Sequence, residues 1–363
     1  MFTIDDLSSH RDRRALRFRW VALTFAFGLI AAGCGGDATT DETTATTEAA
    51  APTETTTTVA AETTTTAPAD TTTTASSEPT TVRLAFVPAT TGLLVNVAQE
   101  QGFFADNDLE VELIPTANVS EIIPTLGQQT DISLGTATDL IRAADSGLDI
   151  VQILGNTIGT EDNPFVRLIV GPDSGIEDVT DLAGRRVSSP TLSGVIHVAT
   201  LYWAQQEGVD PASIEGVQVP PANTVEQFEA GQVDAAEALE PFASALIAQG
   251  NVSIGDPFAS IGLPLATNFW IANGDWAQDN RQVVDAFRQS LDQAQAFVDS
   301  NEEEARAILQ GYTGMPDPVA AGVALPTFDL EIRTDDLARW VEVLVSLGEF
   351  EGEIDVTELV LSD

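Results

Sequence analysis

Two stretches of the chain, about a hundred residues apart, follow one pattern, and this internal repeat limits the possible folds more than any other feature. In each stretch a short apolar strand ends at a proline, Pro88 or Pro190, and an apolar helical run follows. Each helical run closes at a glycine, Gly102 or Gly208, which suits a helix C-terminus because the left-handed conformation costs glycine little. The pattern predicts a strand and then a helix at the start of each repeat.

The second half of each repeat adds a strand, a short amphipathic helix with an acid near its start, and a last strand opened by an aspartate. The strands are predicted at 109–114 and 214–219, the acids are Glu121 and Glu226, and the last strands are predicted at 131–134 and 234–239. Each unit therefore reads β-α-β-α-β. Because strands alternate with helices, the sequence predicts an α/β fold of two similar lobes, each a mostly parallel sheet flanked by helices.

The same repeat predicts a cleft between the lobes. In open α/β sheets, ligands bind at the carboxyl ends of strands, where free N–H groups of helix N-termini can hold oxygen-rich groups. Thr90, Thr91 and Gly92 should line the cleft from one side, and Ser193 and Gly194 from the other. The sequence leaves open the alternative that Thr91 and Ser193 only cap their helices.

Composition excludes several classes of function. The 363-residue chain has a formal net charge of −41, and all 15 of its Lys+Arg residues are arginine. So acidic a chain repels phosphate backbones, which argues against nucleic-acid binding. Without lysine, neither a Walker A nucleotide loop nor Schiff-base catalysis is possible. One cysteine and two histidines predict no disulfide framework and no His/Cys zinc site, and we expect no metal and no cofactor.

The N-terminal 80 residues are predicted to be a signal and then a tether. Residues 1–33 carry five arginines before an uncharged run at 20–32, which is typical of a signal peptide and too short to span a bilayer comfortably. Cys34 stands where cleavage would occur, as in a bacterial lipobox, and is predicted to be lipidated; an ordinary free or buried cysteine is the alternative. Residues 34–80 are rich in threonine and lack aromatic residues, which predicts a disordered linker.

Several motifs in the remaining chain resemble one protein family. They are Leu84-Ala-Phe-Val-Pro88, Gly127-Gln-Gln-Thr-Asp131-Ile132, Asp181-Leu-Ala-Gly184-Arg-Arg-Val187, Gly231-Gln-Val-Asp234-Ala235-Ala236 and Leu239-Glu240-Pro241-Phe242. In order and spacing they are similar to the substrate-binding proteins of ABC importers in the NMT1/THI5-like group, which serves nitrate, sulfonates, taurine and thiamine precursors. The resemblance covers about residues 81–360.

The resemblance implies a type II periplasmic-binding fold whose two lobes close on a small molecule by a hinge motion. Residues 81–170 plus 265–363 would form lobe 1, and residues 171–264 would form lobe 2. The chain would cross between lobes near 170–171 and return near 263–266. Residues 280–363 would be helices that pack back on the first lobe.

The resemblance also places the pocket on particular loops. Together with the cleft residues above, the expected ligand-binding residues are Thr90, Thr91, Gly92, Thr136, Asn156, Thr157, Ser193, Gly194, Val195, Glu240 and Trp270. Asn156 is expected in a loop, where a left-handed turn is the alternative. Glu240 could accept a hydrogen bond from a ligand amine or ring N–H, or it could simply favour a helix N-terminus. Trp270 is a stacking candidate, and His197 is expected to be a packed side chain.

The predicted function is that of an extracytoplasmic, lipid-anchored and monomeric solute-binding protein. It would capture a small organic molecule and deliver it to an ABC permease with its ATPase. A sensor of the same fold without transport is an alternative, as is a fold-related enzyme, against which the missing lysine argues. Because the arginines of the lobes are not clearly in the cleft, a neutral or weakly basic solute such as a pyrimidine or vitamin precursor is favoured, with nitrate, sulfonate or taurine left open.

Overall fold

The computed structural model of the protein describes residues 79–361. The predicted signal peptide at 1–33, the predicted lipidation site Cys34 and nearly all of the predicted linker at 34–80 lie outside the described residues. Within the described range, none of the helices combines the length and the apolar character needed to cross a bilayer.

Strands and helices alternate along most of the described chain. The strands are β1 (Thr80–Phe86), β2 (Leu109–Pro115), β3 (Ile132–Gly135), β4 (Ile150–Gly159), β5 (Val166–Val170), β6 (Arg186–Ser189), β7 (Glu215–Gln218), β8 (Ala235–Leu239), β9 (Val252–Gly255), β10 (Leu265–Asn273) and β11 (Thr327–Asp329). The helices are α1 (Leu93–Glu100), α2 (Phe103–Asp106), α3 (Ala137–Asp145), α4 (Val195–Gln206), α5 (Thr224–Glu229), α6 (Phe242–Ala248), α7 (Gly274–Asp279), α8 (Arg281–Ser300), α9 (Glu302–Thr313), α10 (Asp317–Gly322) and α11 (Thr334–Ser346). Short 3-10 turns connect several of them.

The strands form two sheets, which we call, with their helices, the first and second lobes. The first sheet has the order β11-β4-β10-β3-β1-β2, and the second has the order β7-β6-β8-β5-β9. In both, the first strand of the repeat lies parallel between its second and third strands, as β1 does between β2 and β3 and as β6 does between β7 and β8. Each sheet also takes an antiparallel strand beside its repeat, β10 in the first and β5 in the second.

One ion pair occurs at the same place in both repeats. Asp131, just before β3, accepts hydrogen bonds from Arg83 of β1, at 2.8 Å from the backbone N and 3.0 Å from Nε. In the second lobe Asp234 accepts the equivalent bonds from Arg186, at 2.9 Å and 3.2 Å. Because each carboxylate binds both the backbone and the guanidinium of one arginine, it holds two parallel strands in a single register.

Several predicted features of the repeats are confirmed. Gly102 and Gly208 follow α1 and α4 with φ angles of 80° and 84°, as expected for helix C-terminal glycines. Glu226 lies in the first turn of α5. The helix predicted after Glu121 is wrong, because the chain there forms two 3-10 turns, Val119–Glu121 and Ile123–Thr125. Pro124, which has no counterpart in α5, lacks the N–H that a continuous helix would use.

The first change of sheet comes earlier in the chain than the sequence predicted. The strand expected to end the first lobe is β5, and it pairs with β8 of the second sheet, with Val166 opposite Leu239. The crossing therefore lies between Gly159 and Val166 rather than near 170–171. The reason is packing, because the apolar residues Leu168 and Val170 are buried in the core of the second lobe. The return lies between Gly255 and Leu265, where β10 begins in the first sheet.

The C-terminal helices do not all belong to the first lobe. Helix α8 packs there as expected, with Phe287 stacked on Phe104 of α2 at a centroid distance of 6.1 Å. Helix α11 instead shares one apolar cluster with α3 of the first lobe and α4 of the second, through residues such as Trp340. The expectation that residues 280–363 are helices that pack back on the first lobe is therefore wrong for α11, and it is wrong for β11, which is a strand paired with β4.

The repeated ion pair predicts the effect of a conservative substitution. Asp131→Asn keeps the size of the side chain but places an amide donor against the donors of Arg83. We expect the free energy of unfolding to fall by about 1–2 kcal/mol in chemical denaturation, since hydrogen bonds to charged groups contribute on that scale. Glu112→Gln, an exposed charge on the neighbouring strand, should change it by less than about 0.5 kcal/mol. Equal effects of the two substitutions would contradict this role for Asp131.

Candidate functional site

A cavity of about 160 Å³ lies between the two sheets, at the carboxyl ends of their parallel strands. Thr90 and Thr136 reach it from the segments after β1 and β3, and Thr191 and Glu240 reach it from those after β6 and β8. One water needs only roughly 10–15 Å³ of such space, so the cavity is large enough for a small organic molecule. The position is that expected for a ligand site in an open α/β sheet.

The structure brings most of the predicted site residues to this cavity. Those that line it are Thr90, Thr91, Thr136, Thr157, Gly194, Val195 and Glu240. Those that do not are Gly92, Asn156, Ser193 and Trp270. These statements concern position only. A ligand-binding role for each residue that lines the cavity stays a prediction.

Gly92 and Ser193 have roles beside the cavity rather than in it. A Cβ atom on Gly92 would lie 2.7 Å from the Phe86 ring and 2.9 Å from the carbonyl oxygen of Val87, so glycine is required for this close approach. The carbonyl oxygen of Ser193 accepts a hydrogen bond from Arg142 of α3, which links the first lobe to the loop before α4. Arg142 also pairs with Glu349.

The alternative that Thr91 and Ser193 cap helices is wrong. Helix α1 begins after Gly92 and α4 after Gly194, and neither N-cap residue makes a side-chain capping hydrogen bond. The first N–H groups of α4 therefore have no partner within the helix. The Gly194 N–H donates to the carbonyl oxygen of Thr191, and the next two residues, Val195 and Ile196, line the cavity with the first turn of α4.

Asn156 supports the cavity wall from inside a strand. The prediction that it lies in a loop is wrong, because β4 extends to Gly159. Its amide Nδ2 donates to the carbonyl oxygen of Thr91 at 3.0 Å and to Oδ1 of Asn268 at 2.7 Å. Asn268, on the adjacent strand β10, lines the cavity instead.

Trp270 cannot stack on a molecule in this cavity. It is fully buried on β10, and its ring meets Phe287 of α8 edge-to-face at a centroid distance of 5.6 Å. The residue of β10 that lines the cavity is Asn268, two positions before Trp270. Nothing in the apolar pattern of this strand distinguishes Asn268 as a site residue.

The sequence reasoning missed several polar residues that line the cavity. They are Asn118, Ser120, Asp139, Asn163, Thr191, Asn268 and Thr327. Asp139 carried a signal, because it follows Thr136 by three residues at the start of a helix, a spacing typical of capping. Asn163 comes from the first crossing, Asn268 from β10 and Thr327 from β11, and only the tertiary structure brings them here.

Two carboxylates face the cavity. Asp139 accepts hydrogen bonds from Ser120 Oγ and Thr136 Oγ1, both at 2.7 Å. Burial raises the pKa of Asp139, and the two hydroxyl groups oppose this only in part. In the second lobe, Glu240 Oε1 lies 3.8 Å from Arg167 Nε. None of the described residues that line the cavity is an arginine, a lysine or a histidine.

His197 is a packed side chain, as the sequence predicted. It lies on α4 beneath the cavity, and its Nδ1 is 2.9 Å from Oε1 of Glu237 on β8. Burial by itself would lower the pKa of His197, but the Glu237 carboxylate outweighs that effect and raises it above 6.5. The pair therefore ties the first turns of α4 to the second sheet.

Within residues 79–361, no group of three or more His, Cys, Asp or Glu side chains is placed to hold a metal ion. The chemistry that this site offers is therefore hydrogen bonding from hydroxyl, amide and backbone groups, together with two carboxylates.

Comparison with known proteins is consistent with this geometry. A family model described as NMT1/THI5 like matches residues 88–305. A taurine-binding periplasmic protein of Escherichia coli (strain K12) is 25% identical over 173 residues, which are 46% of this chain and 52% of that protein. A 4-amino-5-hydroxymethyl-2-methylpyrimidine phosphate synthase of Candida albicans (strain WO-1) is 25% identical over 227 residues, 59% of this chain and 65% of that protein. The chain thus spans less than two thirds of either relative.

A solved structure extends the similarity over the whole of another chain. The alkanesulfonate-binding protein SsuA from Xanthomonas axonopodis pv. citri bound to MOPS superposes with a TM-score of 0.67 at 19% identity. The superposition covers 78% of this chain and 99% of that one. At this level of identity the match concerns the fold alone.

The His197–Glu237 pair predicts a pH dependence of stability. Because the pKa of folded His197 lies above 6.5, the stabilisation is complete below about pH 6.5 and is lost as pH rises through the folded pKa. The double variant H197Q/E237Q keeps a hydrogen-bonding pair but removes both titrating groups. Urea unfolding between about pH 5.5 and 8.5 should show a stability gap between native protein and double variant that narrows with rising pH. A gap that is constant with pH would contradict the assignment.

Proposed function

The chain belongs to the NMT1/THI5-like family and has the two-lobed fold of periplasmic binding proteins, and we propose that it is a receptor that captures a small solute outside the cytoplasm. The observation that carries the proposal is the cavity between the lobes, which both sheets line at their carboxyl ends. A site shared by two lobes closes around its ligand when the lobes approach each other.

The proposed partner of this receptor is an ABC permease with its ATPase. The family resemblance supports this role, and so does the printed name of the relative that binds taurine in the periplasm. We propose further that the protein is a monomer held at the membrane by a lipid on Cys34, with residues 34–80 as a spacer. A capture protein kept close to its permease delivers its ligand at a high effective concentration.

Binding is favoured over catalysis. A relative with a synthase name matches part of this chain, so sequence similarity by itself does not decide between the two. The described residues that line the cavity include no histidine, cysteine or lysine, so this lining offers no Ser-His or Cys-His pair and no lysine nucleophile. A sensor without transport would use the same cavity, and uptake of the bound solute by cells that carry the permease would separate the two roles.

A panel of small solutes tests the proposal. Purified protein is screened by thermal shift with nitrate, propane-1-sulfonate, taurine, ethanolamine and 4-aminopyrimidine, and solutes retained from growth medium are identified by mass spectrometry after denaturation. A ligand at a hundredfold excess over its Kd should add about 2.7 kcal/mol to the free energy of unfolding. If no probe shifts the transition and no solute is retained, the proposed function is wrong.

A cavity-filling variant ties binding to this site. Ala117 is exposed and lines the cavity, so Ala117→Phe should abolish the ligand-induced shift without loss of folding. Ala212 is also exposed but lies away from the cavity, on the 3-10 turn Pro211–Ser213, and Ala212→Phe should leave the shift intact. A shift that persists in Ala117→Phe would place the binding site elsewhere.

A further inference from the structure

A carboxylate in the cavity has no ion-pair partner among the described residues. Asp139 lies in the first turn of α3, lines the cavity and retains partial exposure there. None of the ion pairs between described residues includes it. Arg142, one turn further along the helix, is directed instead to Glu349 and to the carbonyl oxygen of Ser193.

The hydroxyl groups around Asp139 present acceptors to the cavity. Ser120 Oγ and Thr136 Oγ1 each donate their single proton to the carboxylate. What these oxygens can still offer is lone pairs, and each carboxylate oxygen also has accepting capacity left. This part of the wall is therefore a surface of acceptors, which matches a group that is rich in donors.

The opposite lobe adds charge of the same sign. Glu240 lines the cavity after β8, and Arg167, its ion-pair partner at 3.8 Å, does not line it. Two acids and no cationic side chain are thus found among the described residues that line the cavity. A simple anion would be desolvated against two carboxylates, which is electrostatically unfavourable.

We propose that the solute carries a protonated amine or another cationic nitrogen group, bound to Asp139 and the hydroxyl oxygens of Ser120 and Thr136, with Glu240 facing it from the second lobe. The inference rests on the proposed function and names the chemical class of the ligand. An ammonium group has three donors and no acceptor, so it can use three of these oxygens at once. The free N–H groups at the start of α4 leave room for an anionic end as well, so a zwitterion fits whereas a simple anion does not.

The raised pKa of Asp139 is consistent with a cationic ligand. Burial raises the pKa of its carboxyl group because the charged form is poorly solvated there. A cation bound against the carboxylate supplies a direct ion-pair partner, so that ligand binding and ionisation of Asp139 favour each other.

Matched probe pairs test the inference by isothermal titration calorimetry. In each pair a protonated amine is replaced by a methyl group: taurine with propane-1-sulfonate, and ethanolamine with propan-1-ol. We expect the nitrogen member of at least one pair, or a retained solute that contains such a group, to bind at least tenfold more tightly than its methyl analogue. Asp139→Asn should weaken that binding at least tenfold, whereas it should not weaken the binding of the methyl analogue by more than about threefold.

A control variant separates the local contact from the overall charge. Asp145→Asn removes the same charge from an exposed position on the same helix, outside this cavity, and should bind the nitrogen probe within about twofold of the native protein. Ser120→Ala, which removes one acceptor but no charge, should weaken it severalfold, and it provides a second readout if Asp139→Asn fails to fold.

The outcomes distinguish this inference from the proposed function. If methyl analogues or nitrate bind as tightly as the cationic probes, or if Asp139→Asn and Ser120→Ala leave amine binding unchanged, the inference is wrong while solute binding stands. If neither probes nor retained solutes bind the native protein, both are wrong.

Discussion

The parallel pairing of the first and third strands of each repeat is the constraint on which the site depends. An aspartate in each lobe, Asp131 or Asp234, accepts bonds from the backbone and guanidinium of the arginine on the neighbouring strand. With the register held, the strands end at one edge of their sheet, and the segments that follow bring Thr90, Thr136 and Glu240 together. The cavity is thus a consequence of strand order, and its chemistry is set by the few residues that come directly after each strand.

Buried polar contacts hold the first lobe together around the cavity and beside the return crossing. The Asn156 amide joins β4 to the segment after β1 and to β10. At the return crossing, the buried Asp336 of α11 accepts from the backbone N of Ala266 at 2.7 Å and from Arg333 Nε at 2.8 Å. Because α11 also packs against α4, any hinge movement of the lobes must rearrange the α4–α11 contact.

Local pattern predicted the repeats well and the crossings poorly. The strands of the repeats and the terminal glycines Gly102 and Gly208 follow from periodicity, and Thr90, Thr91 and Gly194 from the rule that ligands meet carboxyl strand ends. The other predicted residues that line the cavity came from the family resemblance. The placement of β5 was missed because an apolar strand carries no mark of which sheet it joins. Trp270 was misplaced for a related reason, since the direction in which a strand residue points depends on how the sheet is packed.

What the sequence determined by itself is the class of molecule: a duplicated α/β unit without lysine, which excludes several chemistries and predicts a cleft between similar lobes. Only the tertiary structure decided the character of that cleft. It brought Asp139 and Glu240, which are 101 positions apart in the chain, to one cavity, and it directed Arg142 away from it. The reason is physical, because the charge of a site depends on which side chains share its small volume, and that sharing is set by packing between lobes rather than by neighbours in the chain.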